Sequence, residues 1–96
     1  MADVLIAAGA ERDYTEALAW YAQRSEGAAR GFEAEFERAI QSIQEAPQRY
    51  PRCDGTHRFY LMRRYPFQVI YREVSRGTLI VAVAHAKRRP GYWQDR

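Results

Sequence analysis

The hydrophobic positions change period along the chain, and each change marks an element. Val4-Leu5-Ile6-Ala7-Ala8 is a short apolar run between Asp3 and Gly9, which predicts a buried strand. Tyr14, Ala17, Leu18 and Tyr21 then fall at i, i+3, i+4 and i+7, one face of a helix that starts near Ala10, with Trp20 beside the stripe. Glu11, Asp13 and Glu16 lie in its early turns, where the helix dipole favours acids. Ser25-Glu26-Gly27 interrupts the pattern, and Ser25 suits the N-cap of a second helix. There Ala29, Phe32, Phe36, Ala39, Ile40 and Ile43 form an apolar stripe, with Glu33, Glu37 and Gln41 opposite. Glu35 and Arg38 are spaced to pair on the surface. Ala46-Pro47 ends the helix, because a residue before proline avoids the helical region. So short a link between the two helices predicts an antiparallel hairpin.

Residues 47–57 read as a loop, broken by Pro47, Pro51 and Gly55. Three strands follow: Arg58 to Met62, Phe67 to Glu73 with period-two alternation, and Thr78 to Ala84, the last two joined by a turn at Ser75-Arg76-Gly77. Thr78 to Ala84 is apolar on both faces, which predicts a central strand covered on one side by the helices. Pro90-Gly91 breaks the pattern before a short tail, Tyr92 to Arg96. The expected architecture is α+β: an N-terminal strand, a helix hairpin, then a three-stranded antiparallel meander, with the helices on one sheet face. At 96 residues without a repeat or linker, the chain fits one domain, residues 1–96.

Charge sharpens this picture. Residues 1–57 carry six arginines against ten acids, a net of −4, while residues 58–96 carry nine basic residues against two acids, a net of +7. Such one-sidedness points to an acidic partner, protein or nucleic acid, for the last third of the chain. Lys87 is the only lysine among fifteen basic residues, and arginine suits bidentate contacts to carboxylate or phosphate. The remaining bulk properties mostly exclude. No apolar run is long enough to span a membrane. Met1-Ala2-Asp3-Val4 carries an acid where a signal peptide carries basic residues. Cys53 stands alone, which fits a reducing cytoplasm. The sequence has no phosphate loop, nucleophile elbow or CxxC pair, and His57 and His85 lie far apart, so neither a cofactor nor a metal is expected.

The candidate chemistry clusters at the end. His85 closes the third meander strand and is followed by Lys87, Arg88 and Arg89. It could act as a general base on an RNA 2′-hydroxyl, with arginines stabilising the phosphorane, or it could simply cap the strand by bonding neighbouring backbone, the simpler reading. Tyr92 and Trp93 could stack on bases, or could pack the tail onto the sheet; two large aromatics near a terminus favour packing. Arg63 and Arg64 sit at the turn between the first two meander strands.

Several stretches together resemble the RelE/ParE toxin superfamily: Ala17 to Tyr21, Ala29 to Phe36, Ala46 to Pro51, Arg63 to Tyr71, and Ala82 to Trp93. The resemblance spans nearly the whole chain, in the family's order. It implies the toxin of a bacterial type II toxin–antitoxin, or plasmid stabilisation, module, forming a hetero-oligomer with a small DNA-binding antitoxin that wraps it. RelE-like members cut messenger RNA in the ribosome, whereas ParE-like members poison DNA gyrase. The RelE-like site uses lysines on the first meander strand and an arginine on the second. Here Phe59 and Leu61 stand at the lysine positions and Gln68 at the arginine position. A ribonuclease would therefore depend on Arg63, His85, Arg88 and Tyr92. Trp20-Tyr21 and Tyr65-Pro66-Phe67 are more similar to the ParE-like branch. The resemblance thus implies a binding toxin, not an enzyme, using Arg63, Arg64, Lys87, Arg88, Arg89, Tyr92 and Trp93 against gyrase or the antitoxin. A ribosome-dependent endoribonuclease is the alternative, and a degenerate toxin that only binds antitoxin a third.

Overall fold

A computed structural model describes residues 3–96; Met1 and Ala2, part of the acid-bearing start noted above, lie outside the described residues. Its elements are β1 (Asp3–Ile6), α1 (Ala8–Ala22), α2 (Glu26–Glu45), β2 (His57–Leu61), β3 (Phe67–Val74) and β4 (Gly77–His85). They form one four-stranded sheet in the order β1-β4-β3-β2. β1 runs parallel to β4, and the other neighbours are antiparallel. The apolar strand is therefore central, as its two-faced composition requires.

The helix hairpin forms where the sequence sets it up. Ser25 is extended and its hydroxyl accepts from the Ala28 N–H at 3.2 Å, capping α2. At the far end Ala46 leaves the helical region one residue before Pro47. The α2 stripe Ala29, Phe32, Phe36, Ala39 and Ile43 is buried against one sheet face. Around it lies an aromatic cluster. Tyr14 packs on Phe36 with ring centres 4.5 Å apart, and Phe67 on Phe32 at 5.2 Å.

β4 is irregular where it matters. Its register against β3 slips between Ile70 and Tyr71, so that Ala82 pairs with Ile70 but Ile80 with Tyr71. Val81 is the extra residue, and the slip turns Val81 and Ala82 to the same face. Ile80 and Val83 thus face the helices, while Val81, Ala82 and Ala84 build a second, smaller core on the helix-free face with Ile70 and Trp93.

Three expectations need correction. β1 is not a buried strand: it stops at Ile6, lies at the sheet edge, and leaves Ile6 46% exposed. A short apolar run alone does not separate an edge strand from a central one. Glu35 is not on the surface. It is buried, its Oε1 accepts from the Arg64 N–H at 3.2 Å, and Arg38 is 3.6 Å from its other oxygen. His57 does not belong to the loop but opens β2, and its side chain is buried.

Candidate functional site

The basic end of the chain is organised by one acid from the acidic half. α1 places Ala10, Asp13 and Ala17 on its inward face, and Asp13 is only 5% exposed. β4 extends past the end of β1, so the Val83 N–H faces no strand; it donates to Asp13 Oδ2 at 3.1 Å. The same carboxylate accepts from the Tyr92 hydroxyl at 2.9 Å, from Arg96 at 2.8 and 3.3 Å, and from Arg88 at 3.3 Å. Arg96 also donates to the Val81 carbonyl, at the slipped register, at 3.1 Å. The Arg88 guanidinium lies 3.6 Å above the Tyr92 ring.

The tail thereby wraps the open edge of β4. Trp93 enters the core of the helix-free face and is 6% exposed, with its ring edge-on to His57 at 4.7 Å. His57 is held in turn by Asp54, which lies 3.0 and 3.1 Å from its Nδ1. The Thr56 and His57 backbone N–H groups, with the His57 ring, hold the Asp54 carboxyl down to about 2. Burial first, then the bond to Asp13, pushes the Tyr92 phenol up to about 12.

The basic turns meet at one end of the sheet. Phe67, opening β3, pairs with His85, closing β4, and the Ala86 N–H donates to the Pro66 carbonyl at 2.8 Å. The turn carrying Arg63 and Arg64 is fixed from below by α2. Glu35 accepts from the Arg64 amide, and the Tyr65 hydroxyl donates to the Ala28 carbonyl at 2.8 Å. Both arginines are exposed, as are Lys87, Arg88 and Arg89.

Of the groups that RNA cleavage would need, His85, Arg88 and Tyr92 line one groove of about 500 Å³ over the tail, whereas Arg63 lies apart. His85 uses Nδ1 to accept from the Lys87 N–H at 3.0 Å and sets its ring edge-on to Phe67 at 4.9 Å, the strand-capping role. His85 and Arg88 also share a second groove of about 490 Å³ with Trp20, Tyr21 and Phe67. Arg63 lines a different groove, with Arg38 and Arg49. Tyr92 donates its proton to Asp13 and is poorly placed to exchange it near neutrality. At the positions where the resemblance expects lysines and arginine, Leu61 is 63% exposed and Phe59 and Gln68 are half-buried. Among the described residues, no group of three or more His, Cys, Asp or Glu could hold a metal ion.

Asp13 was hidden in the sequence as one of several acids in early helical turns. Its signal was position: it falls on the Ala10-Asp13-Ala17 row, where an apolar residue belongs and where small neighbours leave room for incoming side chains.

A parallel edge strand, a helix hairpin on one face, an antiparallel meander and a basic tail strapped over the other face make the small α+β architecture that the RelE/ParE resemblance implies. The chain belongs to the ParE toxin family of the type II toxin–antitoxin system parDE, whose family model matches residues 4–90. Among solved structures it is similar to one described as the chromosomal ParDE TA system from P. aeruginosa. The TM-score is 0.77 at 17% identity, covering 91% of this chain and 98% of that chain, so the two share a fold. No curated protein is significantly similar in sequence. Among the described residues, no helix is long and apolar enough to cross a membrane.

Proposed function

We propose that this toxin acts by binding DNA gyrase in the cytoplasm, without catalysis, and that a co-encoded antitoxin neutralises it. The observation that carries this reading is the occupancy of the tail. Arg88 and Tyr92 are engaged with Asp13, His85 with the Lys87 backbone, and Arg63 lies in another groove. What remains for a partner is an ordered basic surface of Arg63, Arg64, Lys87, Arg89 and the exposed side of Arg88, with Tyr92 and Trp93 fixing the tail beneath it. Arginine-rich, pre-organised surfaces suit recognition of acidic protein or nucleic-acid groups within a large assembly. Membership of the parDE family and the likeness to a structure described as a ParDE system support an antitoxin partner for a chain we read as one toxin domain, residues 1–96.

The test is a supercoiling assay with purified gyrase. Micromolar toxin should inhibit supercoiling or trap cleaved DNA, and added antitoxin should reverse this. Unaffected gyrase, together with site-specific cuts in cellular messenger RNA by primer extension, would replace this reading by the ribonuclease. Neither effect, with no growth arrest, would leave an antitoxin-binding subunit.

A further inference from the structure

We infer that the free edge of β2 is a docking site for an extended, acidic segment of a protein partner, which Leu61 and a trio of arginines recognise. The inference rests on the antitoxin reading above only for the source of that segment.

The edge is half-occupied by the chain itself. The Met62 N–H donates to the Phe67 carbonyl at 3.0 Å, so the antiparallel alternation turns the backbone groups of His57, Phe59 and Leu61 away from β3. The loop after α2 takes the first two of these. The Phe59 N–H donates to the Pro51 carbonyl at 3.0 Å, the Cys53 N–H to the His57 carbonyl at 2.9 Å, and Arg52 bridges Arg58. Pro51 has no N–H to offer and the loop leaves the edge there. The next outward-facing residue is Leu61, which is 63% exposed on a strand whose other residues are buried or half-buried. Two backbone groups and a large apolar side chain thus face solvent together, the arrangement that an added strand completes.

Charge selects the occupant. The groove along this edge, about 620 Å³, is bordered by Arg38, Arg49 and Arg63, and no acid lines it. Glu35 lies behind Arg38 at 3.6 Å but is buried, and Arg38 remains 60% exposed. A single-stranded nucleic acid fits less well. Tyr50 and Tyr60 line the groove, but they pack edge-on to each other at 5.1 Å and against the core, which ties both rings to the protein rather than to an incoming base. An exposed leucine gives nothing to a phosphate backbone. A peptide alternating acidic and apolar side chains satisfies both features at once. Two main-chain hydrogen bonds cannot hold such a segment alone, so binding depends on the arginines and on Leu61.

The experiment uses the full chain co-expressed with the product of the adjacent reading frame. Affinity of the purified pair is measured for wild type, Arg49→Glu/Arg63→Glu, Leu61→Asp and the control Arg76→Glu. Arg76 is 72% exposed in the β3–β4 turn, away from this edge. The double reversal and Leu61→Asp should each weaken binding at least about ten-fold, and the control should leave it unchanged. A photo-crosslinking amino acid at position 61 should join the toxin to the antitoxin. If wild type binds antitoxin but the edge variants bind equally well, or if position 61 crosslinks to nucleic acid or to a second toxin copy, the docking site is wrong while the antitoxin reading stands. If wild type does not bind antitoxin, both fail.

Discussion

Asp13 is a single, 3% exposed carboxylate that two guanidinium groups, a phenol and a backbone amide all address. Removing one member of such a set leaves the others buried without a counter-charge, which costs about 3–5 kcal/mol for fully buried pairs. Arg88 is 46% exposed and its share is screened, so Asp13→Ala should cost about 3 kcal/mol in urea unfolding. A loss within error of zero would mean that the tail is not strapped by this acid. Tyr92 gives the same site a pH signature. Its phenol is raised from 10.0 to about 12, so the folded state favours the neutral form. That stabilisation is fully present below about pH 10 and is lost as pH rises toward about 12. Tyr71, also raised to about 12, contributes a parallel loss. Thermal melts across that window should fall steeply for wild type and less steeply for Tyr92→Phe; identical slopes would refute the assignment. None of this was legible residue by residue. Asp13 and Tyr92 are 79 positions apart, and only the fold shows that this acid, one of three in the early turns of α1, is the partner of the tail.

At the scale of elements, the sequence was informative where periodicity and local chemistry agree. The α2 stripe, the Ser25 cap and the Ala46-Pro47 exit are each encoded within a few residues, and the structure reproduces them. β1 was read less well, because an apolar run says that a strand exists and not how many neighbours it has. The slip in β4 was invisible for a similar reason: Thr78 to Ala84 is apolar at nearly every position, so no alternation marks where the faces exchange. What fixes the β1–β4 pairing is Gly77. Its φ is +146°, and a Cβ there would stand 2.1 Å from the Asp3 carbonyl oxygen and 2.8 Å from its nitrogen. Both obstacles are backbone, so β1 would have to move away. Gly77→Ala should therefore cost at least about 2 kcal/mol and expose the Ala7 amide, now bonded to the Ile80 carbonyl, to hydrogen exchange. Gly55→Ala, with nothing within 4 Å, is the matched control and should leave both measurements unchanged.

Across the whole molecule, the charge split along the chain is partly consumed by folding. The acidic half and the basic half meet at Asp13, which pairs with both Arg88 and Arg96 and offsets one of their two charges. Charge counting made the whole of the last third a binding surface, whereas the structure divides it into cations that hold the tail and cations that face outward. Lys87 and Arg89 are exposed and take no part in the Asp13 site, while Arg96 is mostly buried in it. On the gyrase reading proposed above, this division separates stability from target recognition. Lys87→Glu/Arg89→Glu should leave urea unfolding within about 0.5 kcal/mol of wild type, as surface substitutions do. It should also raise the toxin concentration needed for half-inhibition of gyrase by at least about ten-fold, with the difference shrinking at high salt. Arg96→Ala should do the reverse in kind, loosening the tail and lowering stability, with inhibition lost only as far as the tail disorders. Equal inhibition by wild type and the double variant would mean that the outward cations do not touch the target, and would move the recognition surface away from the tail turn.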